Sequence, residues 1–243
     1  IPKATGALPI LNTVNGGTSA TVGVRTDSNY SDLVLALPLV GSANDVSNQI
    51  NSGSTTKSVT NNTVTFPSTS SNFYGASGYF DGNDYLSAID LTSFSMGSDF
   101  TIEFWWNKTG TATSNHAHFM GGAVGGTNSY FAWRDGNSND WQLNINGSSW
   151  YFAQVNINNM QNQWNHFAFV RSGNTLYYYV NGVLTASQSF TATGSWGSST
   201  EIGRGGPGWS TQYVVGYVQD FRIYQVAKYS SDFIPPSTNP DIL

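Results

Sequence analysis

The sequence predicts an all-β fold, a sandwich of two antiparallel sheets preceded by an extended N-terminal arm, and three observations predict it. Charged residues make up only 9% of the 243 residues, while Phe, Tyr and Trp reach 14% and Gly contributes 26 residues. That balance suits short strands and polar turns, and no long amphipathic helical pattern is visible. Within residues 97–106, Phe100, Ile102, Phe104 and Trp106 alternate with Thr101, Glu103 and Trp105, the period of two of a central strand with one apolar face. Asn-Gly pairs at Asn146-Gly147 and Asn181-Gly182 stand between alternating runs, the strongest short signal for hairpins.

Residues 1–31 carry no sustained periodicity and read as an arm, either lying on its own domain, linking, or anchoring into a larger assembly. Leu33 to Leu39 is nearly all apolar and enters the sandwich as a buried strand, with Pro38 at its bend. Val64 and Phe66 mark a brief strand. Asp81-Gly82-Asn83-Asp84, between Tyr79-Phe80 and Tyr85-Leu86, reads as a tight turn joining two hairpin strands. Residues 97–106 follow as the organising strand. Ser129 to Asp135 resumes alternation, and Trp141 to Asn146 pairs with Trp150 to Ile157. Trp164 to Arg171, Leu176 to Val180 and Val183 to Ser187 supply further strands. Glu201-Ile202 is a short step between Gly, Ser and Trp loops, Gly216 to Gln225 closes the sheet, and Pro235-Pro236 ends the domain.

One core is the simpler reading of this length. Nine Lys and Arg against a net charge of −5 leave no basic stripe to neutralise a phosphate backbone, so nucleic acid is not an expected partner. Cys is absent, which removes disulfides and thiolate metal sites. No apolar run approaches the roughly 20 residues that span a bilayer, so no membrane partner is expected. The Ile-Pro-Lys start lacks the apolar core of a signal peptide and reads as a processed or truncated beginning.

Five segments resemble the concanavalin A-like superfamily, specifically its laminin G-like jelly rolls: residues 79–86, Phe100 to Trp105, Trp164-Asn165-His166-Phe167-Ala168, Tyr179 to Gly182, and Gly216 to Tyr224. The likeness spans residues 32–236, leaving 237–243 as a tail. The ending Ala227-Lys228-Tyr229 to Phe233-Ile234-Pro235-Pro236, and the arm through Pro9-Ile10-Leu11 and Val24-Arg25-Thr26-Asp27, are similar to bacteriophage structural proteins, those of marine phages among them. The resemblance implies two curved sheets and a carbohydrate or protein ligand at loops or on the concave face.

Glycoside hydrolysis needs two flanking carboxylic residues. The chain holds only Glu103 and Glu201 as glutamates, and the Glu-x-Asp-x-x-Glu spacing of the superfamily's glucanases is missing, so no enzyme is expected. His116 and His118 share a strand face and could approach one metal, although two polar side chains on a solvated edge is the plainer reading. Structural calcium, which jelly rolls use to pin loops, is expected at Asp45 and Asp220, brought together by antiparallel terminal strands. Asp81 and Asp84 form a second pair, better read as turn residues.

For a ligand, the aromatic side chains outside the core pattern matter most: Trp133, Trp141, Trp150, Trp196, Trp209 and Tyr213. Arg134, Asp135, Asn137, Asn139 and Arg204 are placed to hydrogen-bond hydroxyls beside them. The expected function is non-enzymatic: an exposed virion domain, a phage fibre or capsid decoration, whose loops bind host-surface glycans and gain avidity by repetition. Residues 1–31 would contact other virion proteins and the chain would form a homo-oligomer. A purely structural decoration protein is the alternative. The lectin reading requires Trp rings exposed at one end or on the concave face.

Overall fold

The computed structural model of the chain describes residues 27–112, 115–135, 140–152, 160–206, 209 and 211–236. The strands are β1 (Leu33–Leu37), β2 (Thr60–Asn62), β3 (Gly78–Asp81), β4 (Tyr85–Ile89), β5 (Phe100–Lys108), β6 (His116–Val124), β7 (Thr127–Arg134), β8 (Asp140–Ile145), β9 (Ser148–Phe152), β10 (Trp164–Ser172), β11 (Thr175–Val180), β12 (Val183–Ser189), β13 (Thr200–Ile202) and β14 (Val215–Tyr224). They form two antiparallel sheets. Sheet A runs β1-β14-β5-β10-β11-β12 with β3 also on β14, and sheet B runs β2-β4-β13-β6-β7-β8-β9.

β5 is the centre of sheet A, between β14 and β10. Phe100, Ile102, Phe104 and Trp106 face inward and are buried. Phe104 stacks on Phe119 of sheet B at 4.4 Å and on Phe221 of β14 at 5.4 Å, and Trp141 packs on Phe169 at 5.0 Å. Rings from both sheets therefore interdigitate in one core, each buried ring contributing roughly 2 to 3 kcal/mol of transfer free energy.

The Asn-Gly turns are in place. Asn146 and Gly147 take φ of 50° and 81°, and Asn181 and Gly182 take 50° and 79°, the left-handed pair that a two-residue hairpin requires. The Asp81-to-Asp84 segment is a turn but not a hairpin. β3 pairs with β14 in sheet A and β4 with β2 and β13 in sheet B, so the turn carries the chain from one sheet to the other. Asp84 Oδ2 accepts from the Asp81 amide at 2.9 Å and Asp81 Oδ1 from the Asn83 amide at 3.1 Å, so both act as turn residues. The strand expected at Val64 and Phe66 reduces to a single bridge, Thr65 to Tyr79.

Residues 226–236 lie along the outer face of sheet A. Lys228 Nζ donates to Glu103 Oε1 at 2.6 Å, the Tyr229 hydroxyl donates to Glu103 Oε2 at 2.7 Å, and the Phe233 ring packs on Tyr179 at 5.4 Å. Asp27, placed in the arm by the sequence reading, is buried here and accepts the Tyr224 hydroxyl at 2.6 Å. Of the expected arm 1–31, residues 28–31 are also described and lead into a short 3-10 turn at Tyr30–Asp32, while residues 1–26 and the tail 237–243 lie outside the described residues.

Candidate functional site

The outer face of sheet B gathers the chemistry. Along β7, Phe131 and Trp133 enter the core while Tyr130, Ala132 and Arg134 face out. Along β8, Trp141, Leu143 and Ile145 enter it while Gln142 and Asn144 face out. Register then places His118, Ala132, Gln142 and Tyr151 in one row across four strands, beside the row His116, Arg134, Asp140. Ala132 forms a small floor between larger side chains.

The loop between β13 and β14 crosses this face. A Cβ on Gly121 of β6 would meet the Gly205 Cα at 2.6 Å, and a Cβ on Gly205 would stand 2.3 Å from His118 Nδ1. Only glycines permit this backbone approach. The crossing brings Trp209 onto Tyr130, ring centroids 4.6 Å apart, and within 6.1 Å of His118, which itself lies 4.4 Å from Tyr130. His118 is buried with neither ring nitrogen hydrogen-bonded. Burial, and then the neighbouring His116, push its pKa down to about 3, so it is neutral at physiological pH.

Two arginines flank the rings. Arg134 grips Asp140 with two bonds of 2.6 Å and lies 4.7 Å over the Tyr151 ring. Tyr151 is 49% exposed, and its hydroxyl accepts from Gln142 Nε2 at 3.2 Å. Arg204 grips Glu201, with Nε 2.6 Å from Oε2 and a second bond from its other nitrogen, and stacks 3.6 Å over Tyr85. Hydrogen bonding to Glu201 outweighs burial and holds the Arg204 guanidinium above its ordinary range. Tyr213 bridges back to Arg204 and lies 6.3 Å from Tyr85.

Several expected ligand residues are elsewhere. Trp133, Trp141 and Trp196 are core residues, at most 1% exposed, because each lies on the inward phase of its strand or bridge. Trp150 is half-buried at the edge of sheet B, packed 4.7 Å from Phe190 with its indole N–H on the Ser189 carbonyl at 3.1 Å. It ties the two sheets together. Asp135 is buried, accepting the Trp133 indole at 2.8 Å and the Ala112 amide at 2.6 Å beside Lys108 at 3.2 Å. Trp209, Tyr213, Arg134 and Arg204 are the expected residues that meet on one face. Asn137 and Asn139 lie outside the described residues. His118, Tyr130, Tyr151, Gln142, Tyr85 and Glu201 were not singled out for a ligand, although their outward phase against core neighbours carries the signal.

The calcium pair is differently employed. Asp45 accepts from the amides of Ala36, Ser47 and Lys57 and from the Ser47 hydroxyl, at 2.8 to 3.0 Å. Asp220 accepts from Arg222 Nε at 2.7 Å in a buried pair. These carboxylates are committed to protein donors. Among the described residues no group of three or more His, Cys, Asp or Glu could hold a metal. His118 is not on a solvated edge, since it is buried beneath Gly205 of the loop that follows β13. Glu103 sits on sheet A and Glu201 on sheet B, each ion-paired, so they do not flank one bond. A separate cleft of about 730 Å³, lined by Lys57, Asp32, Asp90 and Ser and Thr hydroxyls, presents no aromatic ring.

A family model described as the concanavalin A-like lectin/glucanases superfamily matches residues 80–232, more than half of the chain. The chain belongs to this superfamily. No curated protein matches it. Among solved structures, this concanavalin A-like chain is similar to the binding domain of Paraclostridial Mosquitocidal Protein 1 (17% identity, TM-score 0.61, covering 82% of this chain and 50% of that one). It is also similar to the botulinum neurotoxin serotype D ligand binding domain in complex with N-acetylneuraminic acid (15%, 0.61, 82% and 49%). A third is domain 4 of AbnA, a GH43 extracellular arabinanase from Geobacillus stearothermophilus, in complex with arabinotriose (18%, 0.56, 81% and 93%). At these identities the likeness is one of fold, and the chain spans about half the length of the two toxin structures. Most of these neighbours are binding domains. No helix among the described residues is long and apolar enough to cross a membrane.

Proposed function

We propose that this chain is a non-catalytic, lectin-like domain that binds host-surface glycans, carried on a phage particle as a fibre or capsid decoration. The observation that carries the glycan reading is the outer face of sheet B, where Trp209, Tyr151 and Tyr213 present half-buried or exposed rings among paired Arg, Asp, Glu and Gln side chains. Sugars stack their C–H faces on such rings and exchange hydroxyl hydrogen bonds with the rim. The exposed Trp cluster that the sequence reading required is not found: among the described residues every Trp is buried or half-buried, and the platform rests instead on half-buried Trp209 and Tyr213 with exposed Tyr151.

The particle context rests on the resemblance of residues 227–236 and of the arm to phage structural proteins. The arm would then engage other virion proteins, and homo-oligomeric repetition would raise avidity for a shallow site. A glycan array with the full chain, with and without calcium, tests the reading. Binding lost in Trp209→Ala and in Tyr151→Ala supports it. Absence of binding from a folded, defined oligomer would favour a structural decoration role.

A further inference from the structure

If the outer face of sheet B binds glycans, the ion pairing on that face decides their charge, an inference that rests on the reading above. We propose that it takes neutral oligosaccharides and discriminates against sialylated and uronic-acid sugars. Recognition of a sugar carboxylate calls for a cation whose charge is not already matched, most effectively a guanidinium with its fork free. Of the nine Lys and Arg, Lys3 and Arg25 lie in residues 1–26, outside the described structure. The other seven are all engaged. Lys108 pairs with Asp135, Arg222 with Asp220 and Lys228 with Glu103. Arg171 and Lys57 have only neutral acceptors, the Met96, Ala192 and Gly173 carbonyls for the one and Val34 and Ser54 for the other, but both lie off this face, Arg171 on sheet A and Lys57 in the separate cleft.

That leaves the two arginines of the face itself. Arg134 holds Asp140 and Arg204 holds Glu201, each through two hydrogen bonds, with a tyrosine ring beneath the guanidinium. The face therefore carries two positive and two negative groups in matched pairs. An incoming carboxylate would have to displace a preformed partner or place two carboxylates on one guanidinium, and the −5 charge of the whole chain disfavours its approach. A neutral hydroxyl meets no such conflict. The outward lone pairs of Asp140 and Glu201 accept from it, and unengaged arginine N–H groups donate to it.

The test is a panel of matched oligosaccharides on the full chain at physiological salt, each present as a neutral form and as its sialic-acid-capped or uronic-acid form. Neutral members should bind, with a loss of at least about tenfold on adding the acid. Asp140→Asn and Glu201→Gln each free one guanidinium while keeping side-chain shape, and in a variant whose melting temperature is preserved the discrimination should narrow. Preference of the unmodified chain for acidic members would overturn the inference alone, and loss of that preference in Arg134→Gln or Arg204→Gln would identify the cation. Acidic binding indifferent to both arginines would also overturn it, by placing the ligand elsewhere. Binding of neither form would overturn the glycan reading itself.

Discussion

Lys228 Nζ lies 2.6 Å from Glu103 Oε1, with the two side chains 11% and 2% exposed, so the C-terminal segment is riveted to the central strand of sheet A by a buried charge pair. His166 Nε2 lies 3.5 Å from the other carboxylate oxygen, which also accepts the Tyr229 hydroxyl. Removing one member of such a pair strands the other in low dielectric. Lys228→Met should therefore cost about 3 kcal/mol by chemical denaturation, and adding Glu103→Gln should recover part of the loss.

Burial alone would raise the Glu103 pKa, but Lys228, then His166, hold it well below the ordinary 4.5. The folded carboxylate stays charged where the unfolded one protonates. Its stabilisation is complete above about pH 4.5 and is lost as pH falls toward the folded value. Denaturation midpoints below pH 4.5 should fall more steeply in the unmodified chain than in Glu103→Gln.

His118 acts in a different window. It is neutral in the fold down to about pH 3 and protonates near 6.5 when unfolded, so the unfolded chain binds the extra proton between these values. Stability should decrease as pH falls from 6.5 toward 3, by at most about 1.4 kcal/mol per pH unit from this group. His118→Leu should flatten the slope between pH 6.5 and 4.5. An unchanged slope there would refute the assignment.

The tryptophans should separate by role. Trp141→Ala opens a core cavity and should cost about 3 to 5 kcal/mol, whereas Trp209→Ala, a half-buried ring on Tyr130, should cost about 1 kcal/mol yet abolish glycan binding. Thermal melts and the glycan array read the two effects independently.

Asp45 should matter without a metal. Asp45→Ala leaves the buried amides of Ala36, Ser47 and Lys57 without their acceptor and should cost about 3 kcal/mol, while a chelator should leave the melting temperature of the unmodified chain unchanged. A calcium-dependent melt lost in Asp45→Ala would support the expected calcium at Asp45.

Much of this was legible in alternation. Phe100 to Trp106 declared the centre of sheet A, and Asn146-Gly147 and Asn181-Gly182 declared their turns, because positive φ is inexpensive for few residues. The same alternation already placed Trp133 with Phe131 and Trp141 with Leu143, inward; reading them as ligand residues overlooked the strand phase. The sheet-to-sheet crossing at Asp81 to Asp84 was not legible, since Asp and Asn cap a turn identically whether the next strand pairs back or crosses over. Nor was the meeting of Trp209 with Tyr130, which depends on a loop crossing Gly121 and joins residues far apart in sequence.

The C-terminal segment has a further consequence for how the domain is presented. Asp27 meets Lys228 at 3.4 Å, and the Trp105 indole donates to the Pro236 carbonyl at 3.2 Å, so the first and last described residues both rest on the outer side of sheet A. The described chain therefore begins and ends on the side of the sandwich opposite the aromatic face of sheet B. An insertion at Gly205 would instead disturb the aromatic face itself, because Gly205 packs closely on Gly121 and His118.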